Sequence, residues 1–254
     1  MSNKRGKLQI VGIGPGGFEH LTRRARTALM ESEMIVGYKT YIELIKPLIE
    51  DKEVIFTDMR HEVERCIRSI QSALEGKIVS IICSGDPGIY GMAGLVFELL
   101  RKQYGDTVPD MDIEVVPGVP ALNACASSLG APLMHDFVSI SLSDILTPWD
   151  VIEKRIIAGA EADFVMIIYN PRSKNRTDQI IKTKDIISRY KRPDTPVGIV
   201  RNAKKRNEEI TITTLEDMLN HNIDMQSTII IGNSQTFIWN GLMVTPRGYY
   251  GKRF

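Results

Sequence analysis

The sequence predicts an α/β protein of two domains with mainly parallel sheets. Three observations carry this. Short apolar, β-branched strands alternate with helical segments along the whole chain. Three early strands, Leu8–Ile13, Ile78–Ile82 and Ile113–Val116, run directly into Gly/Pro turns, at Gly12–Gly17, Ser84–Gly91 and Pro117–Pro120. Near Pro117–Pro120 the alternation begins again with a fresh helix, which divides an N-terminal α/β domain, residues 1–116, from a C-terminal α/β domain, residues 117–254. A cleft between two such domains is a common place for a small ligand.

In order, Leu8–Ile13 is a strand, and Leu21, Ala25, Ala28 and Leu29 give the next segment helical spacing to Met30. Met34–Val36 is a short second strand. Glu62–Leu74 is an amphipathic helix with Val63, Ile67, Ile70 and Leu74 on one face. Ile78–Ile82 opens the central turn, a helix follows from near Met92 through Leu100, and Ile113–Val116 is closed by Pro117. In the second half, Leu122–Leu129 reads as a helix of small residues and Phe137–Leu142 as a half-buried strand. Thr147 and Pro148 start a helix that holds Trp149. Phe164–Tyr169 is an apolar strand, Thr177–Tyr190 a helix, and Pro196–Val200, Ile210–Thr213 and Thr228–Gly232 are strands. Thr214 and Asp217 resemble a capping box for one more helix.

The composition is that of an ordinary globular protein, with 43% hydrophobic and 25% charged residues in 254. A net charge of +1 argues against a nucleic-acid partner. The 3 cysteines, Cys66, Cys83 and Cys125, are odd in number and far apart, and the 4 histidines are scattered. No disulfide frame and no metal-ligand spacing is visible, so the expectation is a reduced, cytoplasmic protein without a metal of its own. The start, MSNKRGK, lacks the apolar stretch of a signal peptide, and no run approaches the ~18 apolar residues of a membrane helix.

Gly12, Gly14 and Gly17 satisfy a dinucleotide fingerprint, which would make the chain an NAD-dependent oxidoreductase. Two details oppose that. Pro15 removes a backbone donor from the loop that would cradle phosphate. The end of the second strand, Val36-Gly37-Tyr38, carries no acid for a ribose. Asp86, in the central turn, either holds a ligand hydroxyl or amine or closes an Asx turn on its own backbone. The run YNPRSKNR at Tyr169–Arg176 carries three cations after one strand, and Arg201 with Lys204–Arg206 occupies the same place after the next. These are either a solvated face or Arg forks for ligand carboxylates. Ser141, Ser143, Asp144 and Thr147 concentrate polar groups between a strand and a helix, as a substrate pocket or as helix caps.

Taken together, VGIGPG (Val11–Gly16), SGDPGIYG (Ser84–Gly91), PGVPA (Pro117–Ala121) and YNP (Tyr169–Pro171) resemble the successive motifs of the tetrapyrrole methylases, which methylate porphyrinoid rings with S-adenosylmethionine. SLSD-x-LTPW and YNPRSKNR are most similar to the branch acting at carbon 17 of precorrin-3B in cobalamin synthesis. Gly17 departs from the pattern, since many relatives carry Asp there. The resemblance implies two α/β domains with the site in their cleft, and a homodimer. It implies cofactor contacts at Pro15, Ser84, Gly85, Asp86, Ile89, Pro120, Ala121, Asn170 and Ala203. A polycarboxylate macrocycle gives Arg172, Arg176 and Arg201 a reason to cluster as substrate contacts. Asp144, with Ser143 beside it, is the candidate for orienting or proton handling at the reacting ring, during methyl transfer coupled to ring contraction. Whether that ring is precorrin-3B or the cobalt-bearing factor III is left open, as are another methylase branch and a non-catalytic tetrapyrrole binder.

Overall fold

The first strand of the computed structural model, β1 (Gly6–Gly12), is buried along both faces, with Leu8 and Ile10 on one and Gln9 and Val11 on the other. The structure describes residues 5–58 and 61–249, so the first four residues of the basic MSNKRGK segment lie outside the described residues. Two compact units are present, residues 1–121 and 122–254.

In the first unit β1 is followed by α1 (Arg23–Glu31), β2 (Met34–Tyr38), α2 (Lys39–Ile45), β3 (Glu53–Thr57), α3 (Glu62–Leu74), β4 (Ile78–Cys83), α4 (Ala93–Tyr104) and β5 (Met111–Val116). The strands form one sheet in the order β3-β2-β4-β1-β5, and every pairing is parallel. Alternate residues serve opposite faces. Leu8, Ile10, Met34, Val36, Val79 and Ile81 pack with Cys66, Ile70, Val96 and Leu100 of α3 and α4. Val11, Ile35 and Ile82 pack with Ala25, Leu29, Ile42 and Ile45 of α1 and α2. This double cover explains why these strands read as unbroken apolar runs.

Arg24 of α1 grips Glu114 of β5 through two bonds of 2.6 Å, and Lys7 stands 2.7 Å from the same carboxylate. The Arg24 hydrogen bonds, above all, push the Glu114 carboxyl down to about 2. A carboxylate held low in the folded state stabilises it above the ordinary value, and that stabilisation is lost as pH falls toward the folded value. Glu114→Gln is therefore expected to cost about 1 kcal/mol at pH 7, a small figure because the pair is partly exposed. Urea unfolding of the two proteins should converge as pH falls from 4.5 toward about 2. A constant difference across that window would show that the loss comes from packing.

The second unit contains α5 (Ala121–Leu129), β6 (Gly130–Ala131), β7 (Phe137–Ser141), α6 (Trp149–Glu161), β8 (Val165–Tyr169), α7 (Asp178–Ile187), β9 (Pro196–Arg201), β10 (Glu209–Thr214), β11 (Ser227–Ile231), β12 (Phe237–Trp239) and β13 (Leu242–Val244). Its main sheet has the order β10-β9-β11-β8-β7, and β12-β13-β6 form a small second one. Ile152 and Ile156 of α6, Ile180 and Ile187 of α7, and Ile140, Ile168, Ile199 and Ile229 of the strands make one core. On the opposite face Leu129 of α5 fills the space that Gly198 leaves, where a Cβ would lie 2.3 Å from the leucine methyl.

The α/β class is as expected, and the mainly parallel sheet describes the first unit. The second sheet differs: only β7–β8 is parallel, while β8–β11, β11–β9 and β9–β10 are antiparallel. Connection length accounts for the β9–β10 pair, since residues 202–208 cannot form the crossover that a parallel pair requires. Residues 215–226, which hold the 3-10 turn Met218–Asn220, join β10 to β11, and those two strands run the same way on either side of β9. The helix expected after Thr214 is that short turn, although Asp217 N–H does bond Thr214 Oγ1 at 3.3 Å.

Candidate functional site

Strands β4, β1 and β5 are neighbours and run the same way, so the turns that follow them share one edge of the first sheet. Main-chain bonds tie those turns together. Ile13 N–H donates to Cys83 O at 2.9 Å, and Gly14 and Gly85 exchange N–H···O bonds of 3.2 and 2.8 Å. Gly14 and Gly85 have φ of +74° and +68°, which only glycine adopts without strain. The strand ends approach so closely that a Cβ on Gly118 would lie 2.1 Å from Gly85 O, and one on Gly12 2.5 Å from the same oxygen.

Asp86 joins the second turn to the third. Its Oδ1 accepts from Gly88 N–H at 2.8 Å, which is the Asx turn, and its Oδ2 accepts from Gly118 N–H at 3.1 Å. Thr22 does the same work from α1: its Oγ1 accepts from Ala25 N–H and donates to Pro117 O, both at 3.0 Å. Pro15 is buried beneath this edge, while Ser84, Asp86, Ile89, Pro120 and Ala121 are partly exposed on it. The first unit thus brings together Pro15, Ser84, Gly85, Asp86, Ile89, Pro120 and Ala121. Gly118 and Thr22 complete the arrangement, and the sequence pattern did not single them out.

In the second unit β7 and β8 are parallel, and β9 runs with them because both β8 and β9 are antiparallel to β11. The turns after these three strands therefore lie at one edge, with β11 standing between the two basic ones. Asn170 follows β8 at φ +51° and Asn202 follows β9 at +52°, a backbone that asparagine tolerates. Asn170 Nδ2 donates to Ser141 Oγ at 2.9 Å. Ala203 is buried beside Asn202.

Arg176 and Arg201 differ from the expectation of open substrate contacts. The Arg176 side chain is 7% exposed. Its Nη1 donates to Leu142 O at 2.8 Å and Asn170 O at 2.5 Å, so it clamps the turns after β7 and β8. Burial pulls its pKa below the usual arginine value. Arg201 bonds Asp224 at 2.6 Å and Glu209 at 2.8 Å, and the Asp224 bond chiefly raises its pKa. Two carboxylates already neutralise it. Arg172 and Lys174 are exposed and make no ion pair among the described residues.

Asp144 Oδ2 accepts from Gln179 Nε2 at 2.7 Å, and its Oδ1 lies 3.9 Å from Arg176 Nε. Ser143 N–H donates to Ser141 Oγ at 3.2 Å. The N-cap of α6 is Pro148, with no side-chain bond, so neither Ser143 nor Thr147 caps that helix. Tyr169 Oη instead accepts from Leu122 N–H at 2.8 Å in the first turn of α5. The three cysteines are free and buried, and burial pushes each thiol up to about 12, which leaves no thiolate nucleophile. Among the described residues, no three His, Cys, Asp or Glu side chains gather as a metal site, and no helix is long and apolar enough to cross a membrane.

Comparison with known proteins gives this arrangement a family. The profile described as tetrapyrrole (corrin/porphyrin) methylases matches residues 7–219, a span that holds the turns after β1, β4, β5, β7, β8 and β9. A Priestia megaterium protein named cobalt-factor III methyltransferase is 53% identical over 248 residues, which are 98% of this chain and 46% of that one. A Salmonella typhimurium protein named probable cobalt-factor III C(17)-methyltransferase is 51% identical over 242 residues, covering 95% of this chain and 99% of that one. The chain therefore spans about half of the first relative and nearly all of the second. Among solved structures, that of the methyltransferase CobJ superimposes with a TM-score of 0.89 at 34% identity, covering 95% of this chain and 100% of that one. On the profile match, the full-length relative and the shared fold, the chain belongs to the tetrapyrrole (corrin/porphyrin) methylase family.

Proposed function

We propose that this chain transfers a methyl group from S-adenosylmethionine to carbon 17 of a cobalt-factor III type macrocycle in cobalamin biosynthesis, coupled to ring contraction. The observation that carries this reading is the end-to-end similarity to the Salmonella typhimurium relative, whose name specifies both that substrate and that carbon. The same name favours the cobalt-bearing ring over precorrin-3B. Cobalt then arrives with the substrate, and the chain holds no metal of its own. The protein works in the cytoplasm as a homodimer, without nucleic acid or membrane.

The residues present fit the cofactor. At Gly85 the missing Cβ would come to 3.7 Å from Pro120 Cα and 3.8 Å from Ala121 N, so the glycine leaves a strip of bare backbone facing the third turn. The turns at 13–17 and 84–89 carry no Lys or Arg, which suits a sulfonium cation. Pro15 costs nothing here, because no phosphate needs its N–H. When bound, S-adenosylmethionine supplies an electrophilic methyl and leaves as S-adenosylhomocysteine. Pro15, Ser84, Gly85, Ile89, Pro120, Ala121, Asn170 and Ala203 would hold it. Asp86 acts by fixing the second turn against the third. With the leaving group already good, alignment and exclusion of water carry the rate. Asp144, oriented by Gln179, handles a proton at the ring, with Ser143 beside it. Arg172 meets a substrate carboxylate.

The test is incubation of the purified chain with S-adenosylmethionine and either cobalt-factor III or precorrin-3B. The expected product is cobalt-factor III bearing one added methyl, placed at carbon 17 by NMR, with the contracted ring. Turnover of precorrin-3B alone would overturn the cobalt-bearing assignment. A methyl at another carbon would move the chain to another methylase branch.

A further inference from the structure

Ile145 and Leu146 are the two most exposed large apolar side chains among the described residues, at 83% and 94%. They sit in the loop between β7 and α6, and that loop is anchored on both sides. Leu142 is fully buried, its N–H donates to Tyr169 O at 2.9 Å, and its carbonyl accepts from Arg176. Ser143 N–H is held by Ser141 Oγ, and the Asp144 carboxylate by Gln179. Beyond the pair, Trp149 packs on the core with Lys182 Nζ 5.7 Å from its ring. An anchored backbone that displays two adjacent aliphatic side chains in water is a built surface, because burying them is what folding ordinarily favours.

The neighbouring turn supplies charge. Ser173 and Arg176 exchange N–H···O bonds of 2.9 and 3.3 Å, a tight turn that leaves Arg172 and Lys174 exposed. The Arg176 guanidinium bonds both turns, Leu142 O in one and Asn170 O in the other, so a single buried group fixes the apolar pair relative to the cations. Resting on the function proposed above, we infer that Ile145 and Leu146 are the platform for the flat apolar face of the macrocycle, and that Arg172 and Lys174 meet its acidic arms. The occupant must combine a broad apolar body with peripheral carboxylates, and a polycarboxylate tetrapyrrole has both. The Asp144 carboxylate directly precedes the platform, which places a proton-handling group beside the bound ring. Ile145 and Leu146 thereby select for a planar ring without taking part in the chemistry.

The experiment compares the full chain with Ile145→Ser/Leu146→Ser and with the conservative pair Ile145→Leu/Leu146→Ile. Uroporphyrin is the fluorescent probe for ring binding, S-adenosylhomocysteine the probe for the cofactor, and cobalt-factor III the substrate. The serine pair should raise the Kd for uroporphyrin and the KM for cobalt-factor III by about tenfold, with S-adenosylhomocysteine affinity and melting temperature unchanged. The conservative pair should restore both values. Arg172→Gln/Lys174→Gln should weaken uroporphyrin binding and flatten its salt dependence. Wild-type Kd and KM in the serine pair would overturn the inference while leaving the methyltransferase reading intact. A serine pair that dissociates an oligomer, by light scattering, with ring binding unchanged would instead assign the surface to contact between copies and also overturn it. A wild-type chain that methylates no tetrapyrrole would sink the functional reading and this inference together.

Discussion

Gly118→Ala is expected to lower S-adenosylhomocysteine affinity by about 100-fold, with a fall in melting temperature that leaves the protein folded at 20 °C or so. The added Cβ would lie 2.1 Å from Gly85 O and 2.8 Å from both the carbonyl carbon and oxygen of Gly12. All of these atoms are main chain, so no side chain can turn aside, and one strand end must move by roughly an ångström. The movement falls on the edge that holds Gly85 against Pro120 and Ala121. It also breaks the Gly118 N–H bond to Asp86 Oδ2.

Two companions separate geometry from general damage. Gly94→Ala adds its Cβ where nothing lies within 4 Å, and it should raise stability by a few tenths to 1 kcal/mol through helix propensity, with affinity unchanged. Asp86→Asn keeps the side chain's shape but replaces one accepting oxygen with a donor, so one of its two main-chain bonds is lost. Calorimetric titration should place its affinity between wild type and Gly118→Ala. Wild-type affinity in Gly118→Ala would remove the three-turn edge from the cofactor site.

The parts of this molecule legible in the sequence are those whose physics is local. Strands β1 and β4 are covered on both faces, so their apolar runs needed no partner to be seen. The Glu62–Leu74 helix was bounded correctly, but its expected apolar stripe is only partly buried: Ile70 packs on the core with Cys66 and Ala73, while Val63 and Ile67 are exposed. Strand β3, Glu53–Thr57, went unread because it is a partly exposed edge strand, and α2 because seven residues are too few to display a helical period. The candidate site divides in the same way. Glycine and proline announce a turn by their own backbone limits, so the three turns were visible. The bond from Asp86 to Gly118 was not, because it depends on β1 lying between β4 and β5. The surroundings of the charges were hidden for a related reason. An arginine in a basic run looks exposed, and the acceptors that bury Arg176 come from Leu142 in a distant segment and from a carbonyl of its own turn.

That burial sets the second large effect. Arg176→Met should destabilise the protein by about 3 kcal/mol, because it strips the donor from two main-chain acceptors at once. For a chain of this size the melting temperature should fall by roughly 6–12 °C. Arg176→Lys should recover only part of the loss, since a compact ammonium on a single stem cannot reproduce the planar guanidinium that reaches Leu142 O and Asn170 O together. If Arg176 were a direct substrate contact, the opposite pattern would appear: normal stability, raised KM, and an effect that fades at high salt. The clamp reading separates two measurements. Urea unfolding should report the loss in both variants, while S-adenosylhomocysteine affinity should fall only as far as Asn170 is displaced. Arg172→Gln, on an exposed side chain of the same turn, should show the reverse, with unchanged unfolding and a raised substrate KM. A stable Arg176→Met protein with a raised KM would return Arg176 to the substrate and leave the two turns to be held by their own main-chain bonds.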